Sequence, residues 1–260
     1  MPYGMLGSPQ PVPMVNPLAH EFSPRSIAGL VSWWDFGDLT TLRQNSDGTT
    51  PATANGDRVA YVADKAGSTN LTQSSNSLCG SLAIPGMNGK NSVVMPSTSG
   101  ARYDIAAFPG GTASFNTADQ TWFLVARYTG ANDWCAALNN RAGFFVDVAQ
   151  NVSANAYSGV STVPTYRVNG SPIAPTVTRP LLRAVLGLNR PYQLTVSNIN
   201  PNDTGNGAPG AGGTTYGLGG FGTTLTFIGD FCEFLLYFRN LSAAEIESVE
   251  RYLKRKWETP

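Results

Sequence analysis

The 260-residue chain carries 17 basic and 17 acidic side chains, no net charge, and only 13% charged residues, about half the ~25% of an average soluble domain. Without a basic footprint it lacks what phosphate neutralisation requires, so nucleic acid is excluded as a partner, and no run of ~18 apolar residues is present to cross a membrane. The length fits one large β domain, 42% hydrophobic residues suffice for its core, and 28 glycines with 18 prolines describe a chain of many turns.

Residues 1–26 read as an extended arm. Pro2, Pro9, Pro11, Pro13, Pro17 and Pro24 fall within it, and each proline fixes φ and removes a donor, so neither helix nor inner strand forms. Tyr3, Met5, Leu6, Val12, Met14, Val15, Leu18 and Phe22 supply apolar anchors. Two readings stand: a disordered tail, or an arm that docks on a neighbouring subunit. A neutral chain has little repulsion to keep copies apart, so a homo-oligomer is expected. The opening "MPYGMLGSPQPVPMVNP" has neither the basic n-region nor the apolar h-region of a secretory signal.

Residues 27–260 read as one β-sandwich domain. In "GLVSWWDFGDL" neighbours on a strand point to opposite faces. One of Trp33 and Trp34 therefore enters the core with Val31. The other lies opposite with Leu30 and Ser32, beneath the arm or the terminal helix, and Asp35 sides with Trp33. "DRVAYVADKAG" reads as a short strand and turn. "NSVVMP", "TWFLVARY", "GFFVDVAQ" and "YQLTVSNI" are rich in β-branched and aromatic residues, as strands are. "TWFLVARY" is apolar at both alternating sets, which predicts burial on both faces. Residues 200–222 form a Gly-rich excursion whose G-x-G spacings lack the strand-then-helix setting of a phosphate cradle. In "LTFIGDFCEFLLYF" Asp230 after Gly229 is expected to split the apolar run. The close, 242–257, is an amphipathic helix: Ser242 caps it, Glu245 completes a capping box, and Ile246, Val249, Leu253 and Trp257 form one stripe.

The residue inventory offers little for catalysis. The single histidine, His20, lies in the arm, away from any Ser-His or Cys-His constellation. Cys79, Cys135 and Cys232 are odd in number and widely spaced, which argues for synthesis in a reducing compartment. Five of six glutamates lie in the arm or the terminal helix region, leaving Glu233 alone in its apolar strand. It reads as a structural carboxylate bonded to backbone or an arginine, and Glu233→Gln is expected to change stability more than any activity. Asn132, Asp133, Asp147, Asn202 and Asp203 offer oxygens for calcium without a recognisable loop pattern, so no metal or cofactor is assigned. Tyr157, Tyr166, Tyr192, Tyr216 and Phe221 lie in loop-rich text and supply aromatic faces for a glycan.

Four segments together resemble the concanavalin A-like lectin/glucanase (laminin-G-like) β-sandwich proteins found in bacteriophage virions: "GLVSWWDFGDL", "DRVAYVADKAGSTNLTQ", "NGKNSVVMPSTSGARYDI" and "GDFCEFLLYFRNLSAAEIESVERYLKRKW". Many relatives place a Trp before the Asp-Lys pair, where this chain has Val62-Ala63, and the paired acids of the glucanase branch do not show. The resemblance implies a mainly β, concanavalin A-like antiparallel β-sandwich (jelly roll) with an N-terminal arm and one C-terminal helix. It implies a structural virion component without enzymatic activity, made in the host cytoplasm: a capsid decoration, head-fibre or tail protein that docks on major capsid or tail proteins through the arm. The alternative is a carbohydrate-binding module for cell-surface glycans.

Overall fold

The strand Gly229–Tyr237 organises the protein, and all nine of its residues are buried. One edge pairs antiparallel with Gln120–Tyr128; the other is shared in succession by Ser92–Met95 and by the first strand, Leu30–Asp35. The computed structural model describes residues 22–105, 119–130, 134–136, 138–139, 143–147, 157–158, 164–174, 177–199, 216–221 and 225–260. The nine-stranded sheet continues through Pro191–Ile199, Thr165–Val168 and Ser171–Ile173 on one side and through Gly80–Ala83 and Arg58–Val59 on the other.

A second, six-stranded sheet runs Leu138–Asn139, Tyr216–Leu218, Tyr103–Ile105, Leu71–Thr72, Tyr61–Val62, Leu42–Arg43. Leu42, Val62, Leu71, Tyr103 and Ile105 from it meet Trp34, Val93, Leu124, Phe231 and Phe234 of the larger sheet in one core. The opposite face of the larger sheet is covered by the terminal helix Ala243–Trp257: Ile246, Val249, Leu253 and Trp257 pack on Trp33, Phe123, Val125, Leu235 and Tyr237. Two covered faces explain why "TWFLVARY" and "FCEFLLY" are apolar at both alternating sets. The expected class, a mainly β antiparallel sandwich closed by a C-terminal helix, is the architecture present. The capping box of Ser242 and Glu245 and the basic last turn, Lys254 to Lys256, are in place and complement the helix dipole.

One local expectation holds and two need correction. First, the tryptophans separate as expected: Trp34 enters the core with Val31, and Trp33 lies opposite with Leu30 beneath the terminal helix. Leu30 pairs with Tyr237 and Ser32 with Leu236, so Val31 is the extra residue of a bulge that shifts the alternation. Second, the apolar run does divide, into Leu225–Thr226 and Gly229–Tyr237, but Asp230 lies inside the second strand and not at the break. Arg127 Nε donates to Asp230 at 2.9 Å and Ser92 Oγ at 2.8 Å, which lets a buried carboxylate sit in the ladder. The strand begins at Gly229 instead, at φ 149°, where a Cβ would lie 2.0 Å from the Arg127 carbonyl oxygen. Third, a second helix, Arg179–Leu186, is present, capped by Thr178 and ended by Gly187 at φ 74°. It is only eight residues long and, among its described side chains, buries Leu182 and Leu186.

Candidate functional site

Three distant segments meet where the terminal helix crosses the first strand. The loop after Tyr61–Val62 is shaped by Asp64, whose Oδ1 accepts the Trp33 and Ala66 backbone N–H groups at 2.8 Å each and whose Oδ2 accepts that of Thr69 at 3.1 Å. Burial pushes the Asp64 carboxyl up, against these donors. The turn so fixed aims Lys65 at the first strand. Its Nζ donates to Asp35 at 3.0 Å and Asp38 at 2.8 Å, and lies 4.7 Å from the centre of the Trp33 ring. From the last helical turn, Lys256 Nζ donates to the same Asp35 oxygen, Oδ2, at 2.6 Å and to Glu233 at 2.7 Å.

The result is an alternating chain of charge, Asp38–Lys65–Asp35–Lys256–Glu233. Glu233 is fully buried and accepts from Trp33 Nε1 and Trp257 Nε1 at 2.6 Å each and from the Tyr252 hydroxyl at 3.0 Å. Its partners are two indoles, a phenol and a lysine, not the backbone or arginine expected. Burial and the neighbouring Asp35 charge push its carboxyl up, while Lys256 and Trp257 pull it down.

Beside this chain lies a cavity of about 570 Å³ whose walls include Phe22, Trp33, Asp38, Lys65, Tyr252 and Arg255. Asp38 and Lys65 are each about a quarter exposed and face the solvent side, whereas Glu233 does not reach the wall. The cavity thus presents ring edges together with a fixed carboxylate and ammonium, the mixture of apolar wall and few convergent polar groups that small-molecule sites use. Burial alone would raise Asp38, but hydrogen bonds from Lys65 and Thr40 outweigh it and bring the carboxyl from 3.8 to about 2. Glu245, held by Arg239 and Ser242, falls from 4.5 to about 2. A carboxyl depressed in the folded chain stabilises the fold above its unfolded value, and that contribution is lost as pH falls toward the folded one. The melting temperature is therefore expected to decline between about pH 4 and pH 2, and Asp38→Asn to flatten that limb. An acid limb unchanged by the substitution would show that Asp38 is not depressed.

The residues anticipated for ligands fall elsewhere. Tyr166 and Tyr192 are 1% and 2% exposed in the sandwich core, so neither offers a ring face to a glycan. Tyr157, Tyr216 and Phe221 lie on strands Tyr157–Ser158, Tyr216–Leu218 and Gly220–Phe221, with side chains outside the described residues. Of the arm, Tyr3, Met5, Leu6, Val12, Met14, Val15 and Leu18 lie outside the described residues, as do His20, Asn132, Asp133, Asn202, Asp203 and the side chain of Asp147. Phe22 is described, and its ring packs 6.2 Å from that of Tyr252. Among the described residues no group of three or more His, Cys, Asp or Glu is placed to hold a metal. Asp35, Asp38, Lys65, Tyr252 and Lys256 escaped the sequence reading, although "WWDFGD", "ADK" and "YLKRKW" contain them. No single segment holds two opposite charges of this network at a telling spacing.

No protein-family model matches the chain, and no curated protein matches it. Two similar solved structures are Trypanosoma rangeli sialidase in complex with the inhibitor DANA, TM-score 0.44, and the same sialidase in complex with 2-keto-3-deoxy-D-glycero-D-galacto-2,3-difluoro-nononic acid, TM-score 0.41. Both are 14% identical, and each match covers 90% of this chain and 34% of that chain, so the chain spans about a third of their length. The expectation of a protein without enzymatic activity is corrected here, since these structural neighbours are enzymes. At these scores the likeness assigns no chemistry to this chain. What fold and site together define is a β-rich sandwich with a charged, aromatic-walled cavity beside its terminal helix.

Proposed function

We propose that the chain is a structural component of a larger assembly, docking on neighbouring subunits through the segment ahead of Phe22, in the manner of the concanavalin A-like bacteriophage virion proteins its sequence resembles. A place as a capsid decoration, head fibre or tail protein follows from that resemblance. The observation that supports docking is the way the root of the arm is fastened. Phe22 packs on Tyr252, Pro24 is buried, and its carbonyl accepts the Tyr237 hydroxyl at 3.1 Å. Arg239 Nε donates to the Ala28 carbonyl at 2.8 Å. A segment rooted on the central strand and the terminal helix passes any pull on it directly to the core.

Removing residues 1–21, which spares this root, is expected to leave the melting temperature unchanged. The shortened chain should sediment as a monomer and no longer join major capsid or tail proteins. Normal association by the shortened chain overturns the reading. Deletion through Ser26 is expected to lower the melting temperature as well, because Phe22 and Pro24 leave with it.

Carbohydrate recognition is the second reading, favoured by the cavity beside Trp33 and Tyr252 and no longer by Tyr166 and Tyr192. Binding on a glycan array that disappears in Asp38→Ala would support it; uniform silence of the intact chain would rule it out.

A further inference from the structure

On the far side of the terminal helix lies a second cavity, of about 230 Å³. Its rim is the hairpin turn Asn169–Gly170, where both residues take positive φ, 51° and 78°, as the favoured two-residue hairpin turn requires. Asn169 clasps the adjoining strand: its Oδ1 accepts the Gln193 backbone N–H at 2.8 Å, and its own N–H donates to the Gln193 carbonyl at 2.8 Å. The Arg167 guanidinium binds Glu250 through both nitrogens, Nε to Oε1 at 2.9 Å and Nη2 to Oε2 at 3.0 Å, and Nη2 also donates to the Gly170 carbonyl at 2.6 Å. Thr195 Oγ1 adds a further bond to Glu250 at 2.8 Å. This pair is internally satisfied and neutral.

The Gln193 amide is not. Gln193 lines the cavity, is 2% exposed, and its Nε2 has no hydrogen-bond partner. A donor stranded away from water is costly, and native folds leave few such groups. Arg251 and Lys254 stand over the cavity from the helix, with Glu247 only 3.9 Å from Arg251 as counter-charge. Three cations and two carboxylates line the cavity, so one positive charge is uncompensated.

The geometry points to a binding site for a small monocarboxylate, its oxygens received by the Gln193 amide and by Arg251 and Lys254. The terminal torsion of a glutamine is soft, so the amide turns toward a ligand at little cost. A monoanion matches the single surplus charge. A phosphate dianion exceeds it and is repelled by Glu247. The site shares no lining residue with the cavity beside Trp33, so it stands or falls independently of the proposed function.

The test is thermal melting of the full chain in sodium acetate, sodium chloride and sodium phosphate at matched pH and ionic strength. Acetate is expected to raise the melting temperature saturably where chloride does not. Lys254→Ala, at an exposed position, should weaken the apparent acetate affinity about tenfold. Gln193→Leu should abolish the acetate effect while melting no lower than the parent in chloride, because it removes the stranded donor. Equal melting of the intact chain in acetate and chloride overturns the proposal, as does an acetate effect that survives both substitutions. Stronger stabilisation by phosphate than by acetate overturns the monocarboxylate assignment.

Discussion

Glu233→Ala is expected to cost about 3–5 kcal/mol of stability, the range for breaking a buried ion pair by removing one partner. In a chain of this size that is a fall in melting temperature on the order of 10 °C. The loss comes chiefly from donors left behind. Trp257 Nε1 and Trp33 Nε1 point at Glu233 from buried rings and have no other acceptor in the network, and an unsatisfied buried donor costs ~1–3 kcal/mol. Lys256 suffers less, because Asp35 still accepts from it and its side chain is partly exposed. Glu233→Gln keeps one acceptor oxygen but turns an amide N–H₂ toward donors, so an intermediate loss of ~2 kcal/mol is expected. Trp33→Phe made alone and on the Glu233→Ala background completes a cycle. The second measurement should be smaller by ~1–2 kcal/mol, since the two residues share one bond. Melting of Glu233→Ala within about a degree of the parent would mean that the carboxylate holds nothing in place.

This network also shows where sequence reasoning stops. The terminal helix was legible because its information is local: a cap, a capping box and an apolar stripe lie within 16 consecutive residues. The strand Gln120–Tyr128 was legible because burial on both faces writes a continuous apolar run. The charge chain was not, because Asp35, Lys65, Glu233 and Lys256 are separated by up to 221 positions and become neighbours only through strand pairing. Each taken alone reads as an ordinary surface charge or a solitary core acid. Yet Trp33 and Asp35, Asp64 and Lys65, Glu233 and Lys256 all fall within segments that carried the family resemblance. Those segments therefore hold a structural seam. The Gln193 cavity left no trace in the sequence, since an orphaned donor is defined by what fails to reach it.

Trp34→Ala is expected to destabilise the fold by about 3–5 kcal/mol, as truncation of a buried aromatic does. Trp34 has no exposed surface, its ring packs 5.6 Å from that of Phe234, and its Nε1 donates to the Thr69 carbonyl at 2.7 Å. That bond distinguishes it from other core rings, because Thr69 closes the loop that presents Lys65. The loop is held at both ends by the same dipeptide: the backbone N–H of Trp33 is accepted by Asp64, and the indole of Trp34 reaches Thr69. Removing the Trp34 ring frees one end, so amide exchange at residues 64–70 should accelerate beyond what the global loss of stability explains. Trp33→Phe, which keeps the Asp64 bond and a ring over the helix, should leave that loop protected and lose only the bond to Glu233, about 1 kcal/mol. Equal loop exchange in the two variants would show that the loop follows Asp64 alone. Unequal exchange would establish that the first strand, whose regular alternation sends the adjacent tryptophans to opposite faces, braces both the core and the wall of the cavity.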